Sequence, residues 1–130
     1  MSAAAQMPVL RCLIVDDSVP FLDAARSLLE REGFAVVGVA STGAEALKQA
    51  MKLQPDVTLV DIDLGTESGF DVARSLDAYS DRLFSRVILL STHSERDFAE
   101  LIEESPADGF LAKSELSAGG IYKLLARRTD

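Results

Sequence analysis

A parallel five-stranded sheet with helices on both faces is the architecture this sequence predicts. Three observations carry it. Short, almost wholly apolar runs alternate from end to end with longer segments whose apolar residues recur at helical spacing. The short runs show little apolar/polar alternation, the pattern of strands buried on both faces. The connections are short, as right-handed strand-helix-strand crossovers require. At 130 residues the chain is one domain, since roughly two-thirds of the unfolded surface is buried at such a length. The expected division is an N-terminal tail over 1–8, flexible in character, one folded domain over 9–128 and a short C-terminal end at 129–130.

"VLRCLIV" (Val9 to Val15) is the first strand, closed by Asp16 and Asp17. The first helix has Pro20 in its opening turn, Phe21, Leu22, Ala25, Leu28 and Leu29 on one face, and Gly33 at its C-terminal cap. "FAVVGVA" is the second strand. Thr42 and Glu45 stand at capping-box spacing, Ala46, Leu47, Ala50 and Met51 form the stripe of the next helix, and Pro55 stops it. "DVTLVD" is the third strand, and Phe70, Val72, Ala73 and Leu76 carry the third helix. "RVILLS" is the fourth strand. Phe98, Leu101 and Ile102 mark a fourth helix with an acidic outer face, and "GFLAK" a short fifth strand. Gly119 and Gly120 fall in the first turn of the last helix, whose stripe is Ile121, Leu124 and Leu125 and whose Arg127 and Arg128 suit the negative end of the helix dipole.

The net charge of −8 excludes a stand-alone nucleic-acid binder, which needs a basic face, and favours cations or basic partners. The one cysteine, Cys12, lies in an apolar run and reads as a small buried hydrophobe in a reducing compartment. "MSAAAQMP" lacks the basic and apolar regions of a signal peptide, and no apolar run is long enough to span a bilayer. The expected location is the cytoplasm.

In a doubly wound sheet, ligands bind beyond the carboxyl ends of the strands. Asp16 and Asp17 end the first strand, Asp61 the third, Ser91 the fourth and Lys113 the fifth, so four loops bring all five to one edge. Singly, each has a plain structural explanation as a cap, a strand end or a solvated charge. Together they make a site. Three neighbouring carboxylates raise one another's pKa unless a positive charge sits among them, and a hard divalent ion such as Mg²⁺ suits their oxygens. Asp61, in the central strand, is the expected nucleophile toward phosphorus, with Lys113 offsetting charge on the transferring oxygens and Ser91 hydrogen-bonding the product.

At this point "IVDDS", "PDVTLVDIDL", "ILLST" and "ADGFLAKS", in that order and spacing, closely resemble the response-regulator receiver domain of two-component signalling, of the chemotaxis-regulator kind, over nearly the whole chain. The resemblance implies the flavodoxin-like strand order 2-1-3-4-5. It implies Asp61 as phosphoacceptor, Asp16, Asp17 and Asp61 as Mg²⁺ ligands together with the backbone carbonyl of Asp63, Ser91 as the switch hydroxyl and Lys113 as the phosphoryl-binding lysine. It makes Phe110 the switch aromatic; by composition alone Phe110 is a core residue. The implied phosphodonor is a histidine kinase or a histidine phosphotransfer protein. The implied output is a changed face of fourth helix, fifth strand and fifth helix, read by partner binding or by homodimerisation.

Two departures stand out. Gly65 occupies a position where the family often has proline, loosening "GTESG", and Ser114 replaces the proline after Lys113, so a trans bond is expected there and Ser114 is placed to help cap the last helix. Asp63 and His93 lie two residues beyond the acceptor and the switch hydroxyl, and are expected to tune the lifetime of the acyl phosphate; the plain alternative for His93 is an exposed loop residue.

Two rival readings remain. "DIDLGT" is similar to the Asp-x-Asp motif of haloacid dehalogenase-like phosphatases, but the threonine falls one position late, the motif sits on the third strand, and no carboxylate pair follows Lys113. The other rival is an interaction module that works without phosphorylation, although every group phosphorylation needs is present. "GFLAKSEL" is similar to receivers joined to helix-turn-helix DNA-binding domains, so the chain reads either as a stand-alone receiver or as one cut from a longer regulator.

Overall fold

The computed structural model describes residues 9–127. The expected tail over 1–8, the end at 129–130 and Arg128 lie outside them, as does the side chain of Arg127.

The order of elements is β1 (Arg11–Val15), α1 (Val19–Arg31), β2 (Ala35–Ala40), α2 (Gly43–Leu53), β3 (Val57–Asp61), β4 (Asp63–Leu64), β5 (Glu67–Ser68), α3 (Gly69–Asp77), β6 (Arg86–Ser91), α4 (Ala99–Glu104), β7 (Gly109–Ala112) and α5 (Ala118–Arg127). Single turns of 3-10 helix precede α4 (Glu95–Phe98) and follow β7 (Lys113–Glu115). The main sheet is parallel, in the order β2-β1-β3-β6-β7. It is the expected five-stranded order, with β6 and β7 as fourth and fifth strands.

Alternate residues of the central strands supply two cores. Leu13, Val15, Val60 and Leu89 meet α2 and α3 through Ala46, Ala50, Phe70, Ala73 and Leu76. Cys12, Ile14, Val57, Leu59, Ile88 and Leu90 meet α1 and α5 through Leu22, Ala25, Leu29 and Ile121. Burial on both faces explains the unbroken apolar runs. Cys12 is fully buried, and burial pushes its thiol up to about 12. A thiol reagent is therefore expected to leave Cys12 untouched in the native protein and to modify it only on unfolding; modification at equal rates in both states would contradict this burial.

Local chemistry sets the helix ends. Ser18 Oγ accepts from Phe21 N at 3.3 Å and caps α1, while Gly33 follows that helix with φ of +99°. Thr42 Oγ1 accepts from Glu45 N, and the Glu45 carboxylate reaches back to Ser41 N, so the expected capping box forms with its return bond one residue early.

Several expectations need correction. The segment Gly65–Ser68 is no open loop: β4 and β5 pair antiparallel, Asp63 opposite Ser68 and Leu64 opposite Glu67, with Gly65 at φ +73° in the turn. Glu67 then caps α2, its carboxylate accepting from Gly43 N at 3.0 Å. The fourth helix is six residues long, Phe98 belongs to the 3-10 turn before it, and Leu101 is half exposed because so short a helix turns only one flank inward. Ser114 lies in the 3-10 turn; the hydroxyl that caps α5 is Ser117, accepting from Gly120 N at 2.9 Å. No cis peptide bond occurs among the described residues, so Lys113-Ser114 is trans as expected.

Candidate functional site

The carboxyl edge of the sheet opens into a cleft of about 710 Å³. Asp16 and Asp17 reach it from the turn after β1, Asp61 from the last position of β3, Asp63 from β4, Ser91 from the last position of β6 and Lys113 from the turn after β7. His93 lines it as well. Phe110 does not: it is packed in the core on the α2 and α3 side and is only 7% exposed.

Asp16 is wholly buried. Its Oδ1 accepts from Ser18 N at 2.8 Å, which ties the carboxylate to the start of α1. Its enclosed Oδ2 has no aligned hydrogen-bond donor and is met by the Lys113 ammonium at 2.6 Å. The same ammonium stands 3.2 Å from Asp61 Oδ2, and Asp61 Oδ1 accepts from Asp63 N at 3.2 Å. Carboxylate oxygens of Asp16, Asp17 and Asp61 all lie within 4.8 Å of one another, so the three can hold a metal ion together. A buried carboxylate oxygen met only by an ammonium, facing two more carboxylates, is the donor set of a hard cation that takes oxygen ligands.

Electrostatics agree with that reading. Burial pushes the Asp61 carboxyl up to about 6; Asp16 adds to the rise, while the Asp63 N–H and the Lys113 charge oppose it. Burial lowers the Lys113 pKa, but the hydrogen bond to Asp16 and the charges of Asp61 and Asp16 outweigh it and leave the ammonium above its ordinary value. Lys113 is thus a fixed positive charge, and Asp61 an acid that welcomes further positive charge.

Ser91 is buried and its hydroxyl accepts from His93 N at 2.9 Å. The His93 side chain is exposed, edge-on to Phe98 at 5.8 Å, with Nδ1 3.4 Å from Thr92 Oγ1. Asp63 is exposed at the rim. Sequence reasoning missed two side chains that touch this arrangement. Phe21 lies beneath the Lys113 ammonium, 4.2 Å from ring centroid to Nζ. Glu67 lines the cleft while capping α2. Phe21 was legible as a residue of the first turn of α1, but its aim toward Lys113 depends on a crossing of elements 92 positions apart; nothing local marks Glu67.

Comparison with known proteins accords with this geometry. Residues 12–122 match the response regulator receiver domain. A transcriptional regulator of Pseudomonas aeruginosa is 37% identical over 105 residues, which is 81% of this chain and 50% of that protein. The chain spans about half the length of the first two curated relatives it matches. Among solved structures, the signal receiver domain of the response regulator NarL from Mycobacterium tuberculosis has a TM-score of 0.78 at 30% identity, covering 93% of this chain and 96% of that one. A response regulator from Burkholderia pseudomallei, solved with a phosphorylated aspartic acid, a calcium ion and citrate, has a TM-score of 0.74 at 29% identity over 89% of this chain and 66% of that one. No helix among the described residues is long and apolar enough to cross a membrane. The phosphatase alternative fails against a family match that runs from β1 into α5, across every element that builds the cleft. With its acidic cleft faced by Lys113, the chain belongs to the response regulator receiver domains of two-component signalling.

Proposed function

We propose that Asp61 is the phosphoacceptor and that its phosphorylation, with Mg²⁺ as the cofactor, switches the surface formed by α4, β7 and α5. The observation that carries this reading is the placement of Asp61 at the end of the central strand, 3.2 Å from Lys113 and within reach of two further carboxylates. A carboxylate oxygen of Asp61 forms the new bond to phosphorus as the bond from phosphorus to the donor breaks. The leaving group, an imidazole nitrogen when the donor is a phosphohistidine, departs with that electron pair. Asp16, Asp17 and Asp61, with the Asp63 backbone carbonyl, would hold the ion, which supplies charge neutralisation for the phosphoryl oxygens. Lys113 offsets charge on one of those oxygens.

Ser91 completes the switch. Its hydroxyl accepts from His93 N in this state and is free to donate its own proton to a phosphoryl oxygen. Moving toward that oxygen strains the turn after β6. Phe110, packed under that turn's neighbours in the core, carries the change to β7. Asp63 and His93 at the rim set how readily water reaches the acyl phosphate, and hence its lifetime.

A receiver implies a histidine kinase, or a phosphotransfer protein, as donor. The output is partner binding or homodimerisation through the α4-β7-α5 face, in the cytoplasm, where a reduced and buried Cys12 belongs. The relatives named as transcriptional regulators support a setting in which this receiver controls a DNA-binding partner domain.

The test is intact mass after incubation with Mg²⁺ and a small-molecule phosphodonor. The parent protein is expected to gain one phosphoryl group, and Asp61→Ala or chelation of Mg²⁺ to prevent the gain. An equal gain in Asp61→Ala would place the acceptor elsewhere. No gain and no released phosphate, where another receiver is labelled, would instead favour a module that works without phosphorylation.

A further inference from the structure

We infer that Phe21 is a positioning residue for Lys113: its ring is the seat that holds the ammonium in place when the carboxylates beside it are engaged otherwise. The inference rests on the proposed role of Asp61. It begins from three contacts on one flexible side chain, Asp16 Oδ2 at 2.6 Å, Asp61 Oδ2 at 3.2 Å and the Phe21 ring at 4.2 Å. A lysine stem loses much rotamer freedom when its ammonium is fixed, so each contact matters to where the charge sits. The first two partners are the carboxylates a divalent ion would take, and Asp61 is also the group that is phosphorylated. Both are therefore drawn away from Lys113 in the state where its charge is needed. The ring has no other ligand to serve and remains.

The ring is itself held. Asp16 Oδ1 accepts from Ser18 N, Ser18 Oγ caps α1 by accepting from Phe21 N, and the Phe21 side chain turns back under Lys113. Phe21 thus keeps a fixed distance from the carboxylate that Lys113 must release. Lys113 itself opens a single 3-10 turn rather than closing β7, so its side-chain contacts carry much of its positioning. The Lys113 side chain is only 14% exposed, a setting in which an ammonium over an aromatic face is attracted more strongly than at an open surface.

The experiment compares the parent, Phe21→Leu and Phe21→Tyr by NMR of the Lys113 ε-methylene and by the rate of phosphorylation with a small-molecule donor. In the parent, the ring should shift the ε-methylene protons upfield without metal, and the shift should persist when Mg²⁺ saturates the site. Phe21→Leu should abolish the shift and slow phosphorylation about threefold to tenfold, and Phe21→Tyr should restore both. A shift that collapses on Mg²⁺ addition, or a leucine variant phosphorylated as fast as the parent, overturns the inference while leaving Asp61 as acceptor. A parent that is never phosphorylated counts against the acceptor role instead, and the NMR comparison, which needs no phosphorylation, still decides whether the ring keeps the lysine.

Discussion

Asparagine in place of Asp61 is expected to stabilise the metal-free protein at neutral pH, with the gain vanishing in acid. The folded-state pKa of Asp61 is pushed up to about 6 from an ordinary 3.8. Between those values the folded chain binds a proton that the unfolded chain does not. The contribution of Asp61 to stability is thus fully present below pH 3.8 and is lost as pH rises through about 6, leaving a constant penalty at neutrality. An amide carries no charge, so the variant escapes that penalty only where the parent suffers it. The whole shift corresponds to about 3 kcal/mol at 1.36 kcal/mol per pKa unit. Water in the cleft and the amide N–H₂ facing Lys113 reduce the expected gain to about 1–2 kcal/mol, or roughly 3–8 °C in Tm. Thermal melts in chelator from pH 4 to pH 8 should show the two curves diverging through pH 5 and 6. A difference independent of pH, or a less stable variant, would falsify this account. Added Mg²⁺ should narrow the gap, since an ion that binds the folded parent stabilises it by mass action while the variant has lost one ligand. A destabilised carboxylate at this position accords with the proposal that the site takes a cation and a phosphoryl group.

Most of the architecture was legible because it rests on periodicity. The runs "RCLIV", "VTLVD" and "RVILLS" could only be strands with both faces covered, and Leu22, Ala25 and Leu29 could only be the inner stripe of a helix. The cleft was legible for a related reason: in a parallel sheet all carboxyl ends share one edge, so a polar residue at the end of each run marks that edge before any distance is known. The hairpin β4–β5 left no such mark. Its two-residue strands are too short to show a period, and its pairing follows from Gly65 turning at φ +73° and from Glu67 finding Gly43 N at the start of α2. The cap of α5 was misplaced by three residues because Ser114 and Ser117 are both reasonable caps, and the 3-10 turn after Lys113 decides between them. The seat of Lys113 on Phe21 was hidden altogether, as contacts between side chains on different elements must be when only spacing is read.

Gly69→Ala should be the most damaging glycine-to-alanine change among the described residues, and its cause lies in the backbone where β3 ends at Asp61. A Cβ at Gly69 would stand 2.7 Å from Ile62 Cα and 2.8 Å from the Asp61 carbonyl carbon, closer still to the Asp61 carbonyl oxygen. All are main-chain atoms, so no rotamer change relieves the clash. Gly69 N also donates to Ile62 O at 2.6 Å, which pins the start of α3 to the residue after Asp61. Relief therefore requires the end of β3 to move, at an expected cost of about 2–4 kcal/mol, and any such movement carries Asp61 away from Lys113. Gly119→Ala is the control. There a Cβ meets nothing closer than 3.9 Å, in the first turn of α5, and the change should be neutral or stabilising by about 0.5 kcal/mol. Chemical denaturation of both variants, with the phosphorylation rate of Gly69→Ala, separates two ideas of how the Asp61 carboxylate is held. Lost stability together with slowed phosphorylation means that the Asp61–Gly69 approach sets the position of the carboxylate. Full stability and an unchanged rate would mean that the turn yields without moving Asp61, and that Lys113 and the Asp63 N–H alone keep it in place.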